Sequence, residues 1–139
     1  MTRRYLLDTN VLSEPLRPRP DAGVLAQLER HATALATAAP VWHELWFGCW
    51  RLPAGARRDA IERYLREVVG EGLEILPYSE DVAEWHAVER ARLVRAGRTP
   101  GFVDGQVAAT AAVGGLVLVT RNVRDFAGFH GVKVENWFR

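Results

Sequence analysis

Three short runs rich in leucine and valine are largely apolar: Tyr5–Leu7, 73–76 and 116–119. Weaker runs of the same kind lie at 34–36 and 132–134. Continuous apolar runs, as opposed to alternating ones, are typical of strands that are buried on both faces of a parallel sheet. The pattern therefore predicts five short strands in one parallel sheet.

Between these runs the hydrophobic positions follow a helical period. In segment 56–70, charges occupy one face of the predicted helix and the other face carries apolar residues: Ala60, Ile61, Tyr64, Leu65 and Val68. A second helix is expected to begin after Ser79 and to stop at Gly97. A third is predicted over 102–113, and segment 15–23 is expected to be a loop between helices. Strands separated by helices indicate an α/β fold.

Composition narrows the class of protein. With 139 residues, 48% hydrophobic and 25% charged, residues 1–139 are expected to form a single globular domain. The net charge of +1 gives no overall indication of a nucleic-acid ligand. Cys49 is the only cysteine, which excludes an internal disulfide and a cysteine-based metal site. No signal peptide or membrane-spanning stretch is recognisable, so we expect a cytoplasmic protein with no membrane partner.

A carboxylate follows the first predicted strand directly, in RRYLLDTNVLSE. Asp8 could simply cap a helix that begins at the next residues. However, ligands of parallel α/β sheets bind at the carboxyl ends of the strands, which is where Asp8 lies. Asp8 is therefore a candidate site residue, provided that other residues join it.

Two further aspartates are expected at the same edge. Asp125 follows the strand in LVLVTRNVRDF, where the alternative is a capping box with Asn122 as the N-cap. Asp104 lies in the first turn of a helix whose side chains are small and apolar, so that it packs closely on the sheet. Its alternative role is to compensate the helix dipole.

Glu44 is the fourth candidate, in PVWHELWFGCW. The other members of this predicted helix are large and apolar, so a paired or metal-facing role is favoured over a solvated one. Four acids at one edge would repel one another unless a cation neutralised them. Oxygen ligands without cysteine suit Mg²⁺ or Mn²⁺, whereas the four histidines show no zinc-binding spacing. Such a cluster indicates phosphodiester hydrolysis by a metal-activated water.

Four motifs in this order resemble the PIN-domain ribonucleases, and in particular the VapC-type toxins of bacterial toxin–antitoxin pairs: LLDTNVLSE, ELWFG, FVDGQVAATA and LVTRNVRDF. The resemblance implies a PIN-like three-layer α/β/α sandwich with a central parallel sheet. It also implies a catalytic set of four acids: Asp8, Glu44, Asp104 and Asp125.

In this family pattern Asp8 and Asp104 bind Mg²⁺ (or Mn²⁺) directly. Glu44 and Asp125 complete the shell or position the attacking water. Three polar residues are expected to orient the acids: Asn10, Thr120 and Asn122. The family implies cleavage of single-stranded or looped RNA, inhibition by a cognate antitoxin, and a homodimer or a toxin–antitoxin hetero-oligomer.

Two other classes of protein share part of this pattern. A haloacid-type phosphatase would need a second aspartate two residues after Asp8, where this chain has Asn10. A catalytically silent PIN-type module that binds RNA or protein stays open as the alternative, although none of the four acids is missing.

Three tryptophans recur at helical spacing in the segment that carries Glu44: Trp42, Trp46 and Trp50. Val41, Leu45, Cys49 and Leu52 lie on one side of this helix and suffice to pack it on the domain. The tryptophan stripe would then form an apolar patch on which an antitoxin helix or a second subunit docks. The alternative is that the core extends far enough to bury the stripe.

Overall fold

The computed structural model describes residues 2–139, and these form a five-stranded parallel sheet connected by helices. The strands are β1 (Tyr5–Leu7), β2 (Leu35–Ala38), β3 (Glu74–Leu76), β4 (Val117–Val119) and β5 (Val134–Glu135). The longer helices are α2 (Ala22–Arg30), α3 (Ala39–Trp50), α4 (Ala56–Tyr64), α6 (Glu80–Arg95) and α7 (Phe102–Gly114). Short helices are α1 (Thr9–Leu12), α5 (Gly70–Gly72) and α8 (Val123–Phe126).

Strand order in the sheet is β3-β2-β1-β4-β5. The chain therefore proceeds from β1 to β2 and β3 on one side, and then places β4 and β5 on the other. The order reverses between β1 and β4, which pair directly from Tyr5 opposite Val117 to Leu7 opposite Val119. In open parallel sheets ligands bind at this kind of switch point, outside the carboxyl ends of the strands. The residues that follow Leu7 and Val119 therefore lie where this rule places a ligand site.

All five strands were predicted, and the deviations are at their ends. The run predicted at 34–36 is shifted, because β2 continues through Thr37 to Ala38. Thr37 can remain in a buried strand because its hydroxyl donates a hydrogen bond to the carbonyl of Leu7 at 2.7 Å. The last strand likewise begins later than the predicted 132–134.

The helix predicted over 56–70 changes its winding partway. A π-helical turn, Leu65–Val69, follows α4, and the N–H of Gly70 bonds to the carbonyl of Leu65. The wider turn carries Val69 into the core, where it is 1% exposed, and leaves Val68 55% exposed. The prediction that Val68 faces the core was therefore wrong, because it assumed an uninterrupted α-helical period.

The other two predicted helices have their expected ends. The Ser79 hydroxyl accepts a hydrogen bond from the N–H of Val82 at the start of α6, and Gly97 adopts a positive φ just beyond its end. Helix α7 ends at Gly115 in the left-handed conformation. Within residues 2–139, every helix is too short or too polar to cross a lipid bilayer.

Candidate active site

Asp8 leaves β1 and points its carboxylate toward β4. Its Oδ1 accepts a hydrogen bond from the N–H of Thr9 at 2.8 Å, so the side chain does cap α1. Its Oδ2 accepts one from the Thr120 hydroxyl at 2.8 Å and a longer one from the Asn10 amide at 3.4 Å. Asp8 can therefore be both a helix cap and a site residue, since Oδ1 caps α1 while Oδ2 is bound by the polar residues near the end of β4.

Thr120 is the centre of a polar network that orients Asp8. Its buried hydroxyl donates to Asp8 and accepts hydrogen bonds from the Asn10 side chain at 3.2 Å and from the N–H of Asn122 at 3.0 Å. The Asn10 amide oxygen in turn accepts from the N–H of Arg121 at 3.0 Å. Thr120 and Asn10 thus contact the acid directly, whereas Asn122 acts on this network through its backbone.

Asp104 is half-buried in the first turn of α7, near two other acids. Burial raises the pKa of its carboxyl group above the ordinary value, and the negative charges of Asp8 and Asp125 raise it further. Three of the four predicted acids therefore share one electrostatic environment at the carboxyl edge of the sheet.

Asp125 is exposed in α8, and its alternative role as part of a capping box is not realised. The Asn122 side chain makes no capping hydrogen bond, and the bond at this turn runs between the N–H of Asp125 and the carbonyl of Asn122. The carboxylate of Asp125 remains available to the site.

Two glycines allow the Asp104 turn to approach its neighbours closely. A Cβ at Gly101 would lie 3.2 Å from Oδ2 of Asp104. A Cβ at Gly105 would lie only 2.1 Å from Nε2 of His86, which is buried and bonds through Nδ1 to the Tyr78 hydroxyl at 2.8 Å. The His86 ring thus occupies the space over Gly105 and fixes the turn that carries Asp104. His86 was not among the predicted site residues, although the small residues of α7 were a signal for such close packing.

Glu44 is not embedded in apolar side chains, contrary to the prediction. Its side chain is 44% exposed and lies 3.6 Å from Nδ1 of His43, itself an exposed residue. Glu44 lines an open groove with a cavity volume of about 600 Å³, and Thr9 and Ser13 also line it. Glu44 therefore lines the same groove as the residue that follows Asp8, whereas the acids that raise the pKa of Asp104 are Asp8 and Asp125.

The prediction that the site binds a metal ion rests on the kind of ligand atoms present, because no complete set of ligands is already in place among the residues that the structure describes. Across residues 2–139, no three His, Cys, Asp or Glu side chains are arranged so that they could enclose a metal ion. The three coupled acids nevertheless offer only carboxylate oxygens, which are the ligands that Mg²⁺ and Mn²⁺ prefer. Charge repulsion acts over longer distances than metal–ligand bonds. The acids can therefore raise the pKa of Asp104 although they are not close enough together to enclose an ion.

The tryptophan stripe divides between core and surface. Trp42 and Trp46 are half-buried against the core, and the guanidinium of Arg66 lies 4.7 Å from the Trp46 ring. Trp50 stacks on Trp46 at 5.7 Å but is 48% exposed. The buried side of α3 is as expected, with Val41, Leu45 and Cys49 in the core. Docking of a partner on the stripe stays a prediction, now confined to its Trp50 end.

The chain is an α/β protein with a parallel sheet, and acids with their hydrogen-bond donors lie at the switch point of that sheet. The PIN domain model matches residues 5–129, and the chain belongs to this family, as the four motifs indicated. VapC ribonuclease Y4jK of Sinorhizobium fredii is 35% identical over 124 residues, which are 87% of this chain and 89% of that protein.

Solved structures agree with the family assignment. The crystal structure of FitAcB from Neisseria gonorrhoeae has 33% identity and a TM-score of 0.87, covering 95% of this chain and 96% of that one. A toxin–antitoxin complex from Klebsiella pneumoniae has 27% identity and a TM-score of 0.70, covering 92% and 94%. The predicted PIN-like α/β/α fold with a central parallel sheet is thereby confirmed.

Proposed function

We propose that this chain is a metal-dependent endoribonuclease that acts as a toxin and is neutralised by a cognate antitoxin. The 35% identity to a VapC ribonuclease supports the activity. The similarity to a chain of a toxin–antitoxin complex supports the partner. The substrate would be single-stranded or looped RNA, and the open groove lined by Glu44 is a candidate surface for it.

One observation supports the proposal most strongly: the raised pKa of Asp104, caused by its burial and by the charges of Asp8 and Asp125. A fold that holds three carboxylates within range of one another favours either a shared proton or a bound cation. The Asp8 carboxylate accepts hydrogen bonds from the Thr9 N–H and the Thr120 hydroxyl, which hold it in one orientation.

In this proposal Asp8 and Asp104 would hold Mg²⁺ (or Mn²⁺), and Asp125 and Glu44 would complete the shell or position water. When bound, such an ion supplies an activated water and stabilises negative charge on the phosphate. Thr120 and Asn10 keep the Asp8 carboxylate in one orientation, and the Asn122 backbone holds Thr120. His86 fixes the turn that carries Asp104 through its packing on Gly105.

The test is cleavage of a mixed pool of single-stranded and hairpin RNAs by the purified chain. Products are separated on gels after incubation with Mg²⁺, with Mn²⁺, and with EDTA. We expect internal cleavage with either metal and none with EDTA. Equal cleavage with EDTA would contradict the metal dependence. RNA binding without cleavage under all conditions would favour the catalytically silent PIN-type module. A protein of this function would act in the cytoplasm and dimerise or assemble with its antitoxin.

A further inference from the structure

A second, smaller cavity lies beside Asp125, separate from the groove of Glu44. Its volume is about 200 Å³, and its lining includes Arg98, Thr99, Pro100, Asp125 and Gly128. The stretch from Arg98 to Pro100 continues directly into Gly101, which contacts the Asp104 carboxylate. One candidate catalytic acid, Asp125, therefore lines the cavity, and a second, Asp104, follows four residues after Pro100 in the sequence.

An ion pair within α6 holds Gly128, one of the residues that line this cavity. Glu89 is 7% exposed and accepts hydrogen bonds from Nε and Nη2 of Arg92, each at 2.9 Å, and from the N–H of His130 at 2.7 Å. Arg92 also donates to the carbonyl of Gly128 at 2.7 Å. Helix α6 thus fixes the loop after α8, and with it the position of Gly128.

The guanidinium of Arg98 lies against this fixed glycine. A Cβ at position 128 would come within 2.7 Å of Nη2, and 2.9 Å of both Cζ and Nη1, of Arg98. A side chain at position 128 would displace the guanidinium from this place. Among residues 2–139, Arg98 forms no ion pair with a carboxylate, although Asp125 lines the same cavity. Its guanidinium is therefore not neutralised by a carboxylate of the described residues.

We propose that Arg98 binds a backbone phosphate of the RNA substrate next to the cleavage site. This inference rests on the proposed function and adds a substrate-binding residue to it. A guanidinium presents a planar pair of donors that matches two phosphate oxygens. Asp125 in the same cavity weakens binding of a free phosphate ion, whereas a phosphate within a strand is also held by the contacts that neighbouring nucleotides make with the protein. Arg98 positions the strand and does not touch the reacting atoms.

The test is the salt dependence of RNA binding by the full chain. Fluorescence anisotropy of a labelled single-stranded RNA of mixed sequence is measured in EDTA, so that no metal-dependent cleavage occurs, over a series of NaCl concentrations. Removing one arginine–phosphate interaction with a single strand makes the slope of log Kobs against log salt shallower by about 0.7. We expect R98A to show this change and to bind about tenfold more weakly at low salt. R98K should restore the slope but only part of the affinity, because lysine lacks the planar fork.

Two further variants separate Arg98 from general effects. G128A keeps the arginine but adds a Cβ where its guanidinium lies, so it should weaken binding without loss of fold, since the flexible end of Arg98 can move aside. R30A removes an exposed arginine at the end of α2. The next residue, His31, packs 4.6 Å from the ring of Tyr5 at the amino end of β1, so Arg30 lies near the opposite edge of the sheet. R30A should bind as the wild type does.

The outcomes distinguish this inference from the proposed function. If the wild type cleaves RNA with Mg²⁺ and R98A keeps the wild-type slope and affinity, the role of Arg98 is wrong and the nuclease proposal is unaffected. If the slope changes as expected but no variant cleaves RNA under any condition, Arg98 is a phosphate-binding residue of a non-catalytic protein. If the wild type does not bind RNA even at low salt, both proposals are wrong.

Discussion

The hydroxyl of Thr120 donates a hydrogen bond to Oδ2 of Asp8 at 2.8 Å and thereby joins the carboxyl ends of β1 and β4. The two residues are 112 positions apart in the sequence and meet only because these strands are neighbours at the switch point. The orientation of the candidate metal ligand therefore depends on a side chain from another strand.

Replacement of Thr120 by valine should lower kcat for RNA cleavage by about tenfold. Valine keeps the shape of threonine but removes a hydrogen bond to a charged group, which contributes about 1.5–3 kcal/mol. The rate is measured under saturating RNA and Mg²⁺. Thr120→Ser should remain near the wild-type rate, because it retains the hydroxyl.

A matched control for this change is available in α7. Thr110 is also buried, and its hydroxyl donates to the carbonyl of Gln106 at 2.7 Å without contacting an acid. Thr110→Val should leave kcat unchanged. An equal loss of activity in both valine variants would mean that the effect is one of general packing.

The strand-end acids were predictable because they follow from a general rule. A parallel sheet places the residues after Tyr5–Leu7 and Val117–Val119 at the same edge, whatever the helices between them do. Asp8 and Thr120 could thus be assigned to one site without any knowledge of side-chain packing. The hydrogen bond between them forms because the two strand ends are neighbours in the sheet.

The surroundings of Glu44 were mispredicted because residues that are adjacent in sequence point to different sides of a helix. Only Val41, Leu45 and Cys49 of α3 are buried in the core, and Phe47, although apolar, is exposed as Glu44 is. An apolar composition therefore did not imply an apolar environment at position 44. Arg98 was not identified for a different reason, since its place depends on the contact with Gly128, which no local pattern indicates.

The coupled acids predict how stability depends on pH in the absence of metal. The folded-state pKa of Asp104 is raised above its unfolded value, so the folded protein binds the proton more tightly than the unfolded chain does. Stability associated with this group is fully present below the ordinary pKa of 3.8 and is lost as pH rises through the raised value. Asp104→Asn should therefore have a higher melting temperature than the wild type at pH 7 in EDTA, and the difference should disappear at acid pH.

Mg²⁺ should remove the same penalty in the wild type, since it binds the folded form. The stabilisation is about 2.7 kcal/mol when the ion is present at 100 times its Kd. Asp81→Asn serves as the control, because Asp81 is also an acid in the first turn of a helix but is exposed, whereas Asp104 is half-buried. Unchanged melting of the wild type in millimolar Mg²⁺ would argue against a shared cation at Asp8 and Asp104.

The contact between His86 and Gly105 predicts a specific coupling in stability. Gly105→Ala would place a Cβ where Nε2 of His86 lies, at 2.1 Å, and should lower the free energy of unfolding by about 1–3 kcal/mol. The same substitution should cost less in a His86→Ala background, where the ring is absent. A double-mutant cycle by urea unfolding measures this difference. If Gly105→Ala costs the same in both backgrounds, the ring is not what requires the glycine.

The tryptophan stripe should contribute to stability in proportion to its burial. Trp46 is half-buried between Trp42 and Arg66, so Trp46→Ala should lower the free energy of unfolding by about 2 kcal/mol. Trp50→Ala should cost less than about 1 kcal/mol, because nearly half of its surface is exposed. Denaturant unfolding of the two variants checks the order, and a larger loss for Trp50 would show that its exposed face is covered in solution.

Asp8, Asp104 and Asp125 are proposed to form one site that cleaves RNA with the help of a divalent cation. The decisive measurement is the single-turnover rate of RNA cleavage in Mg²⁺ for the wild type, Asp104→Asn and Asp81→Asn, each checked for folding by its melting temperature. We expect Asp81→Asn to cleave at the wild-type rate. Asp104→Asn, although at least as stable without metal, should cleave more than about a hundredfold more slowly. Cleavage by Asp104→Asn at the wild-type rate would contradict the proposed site.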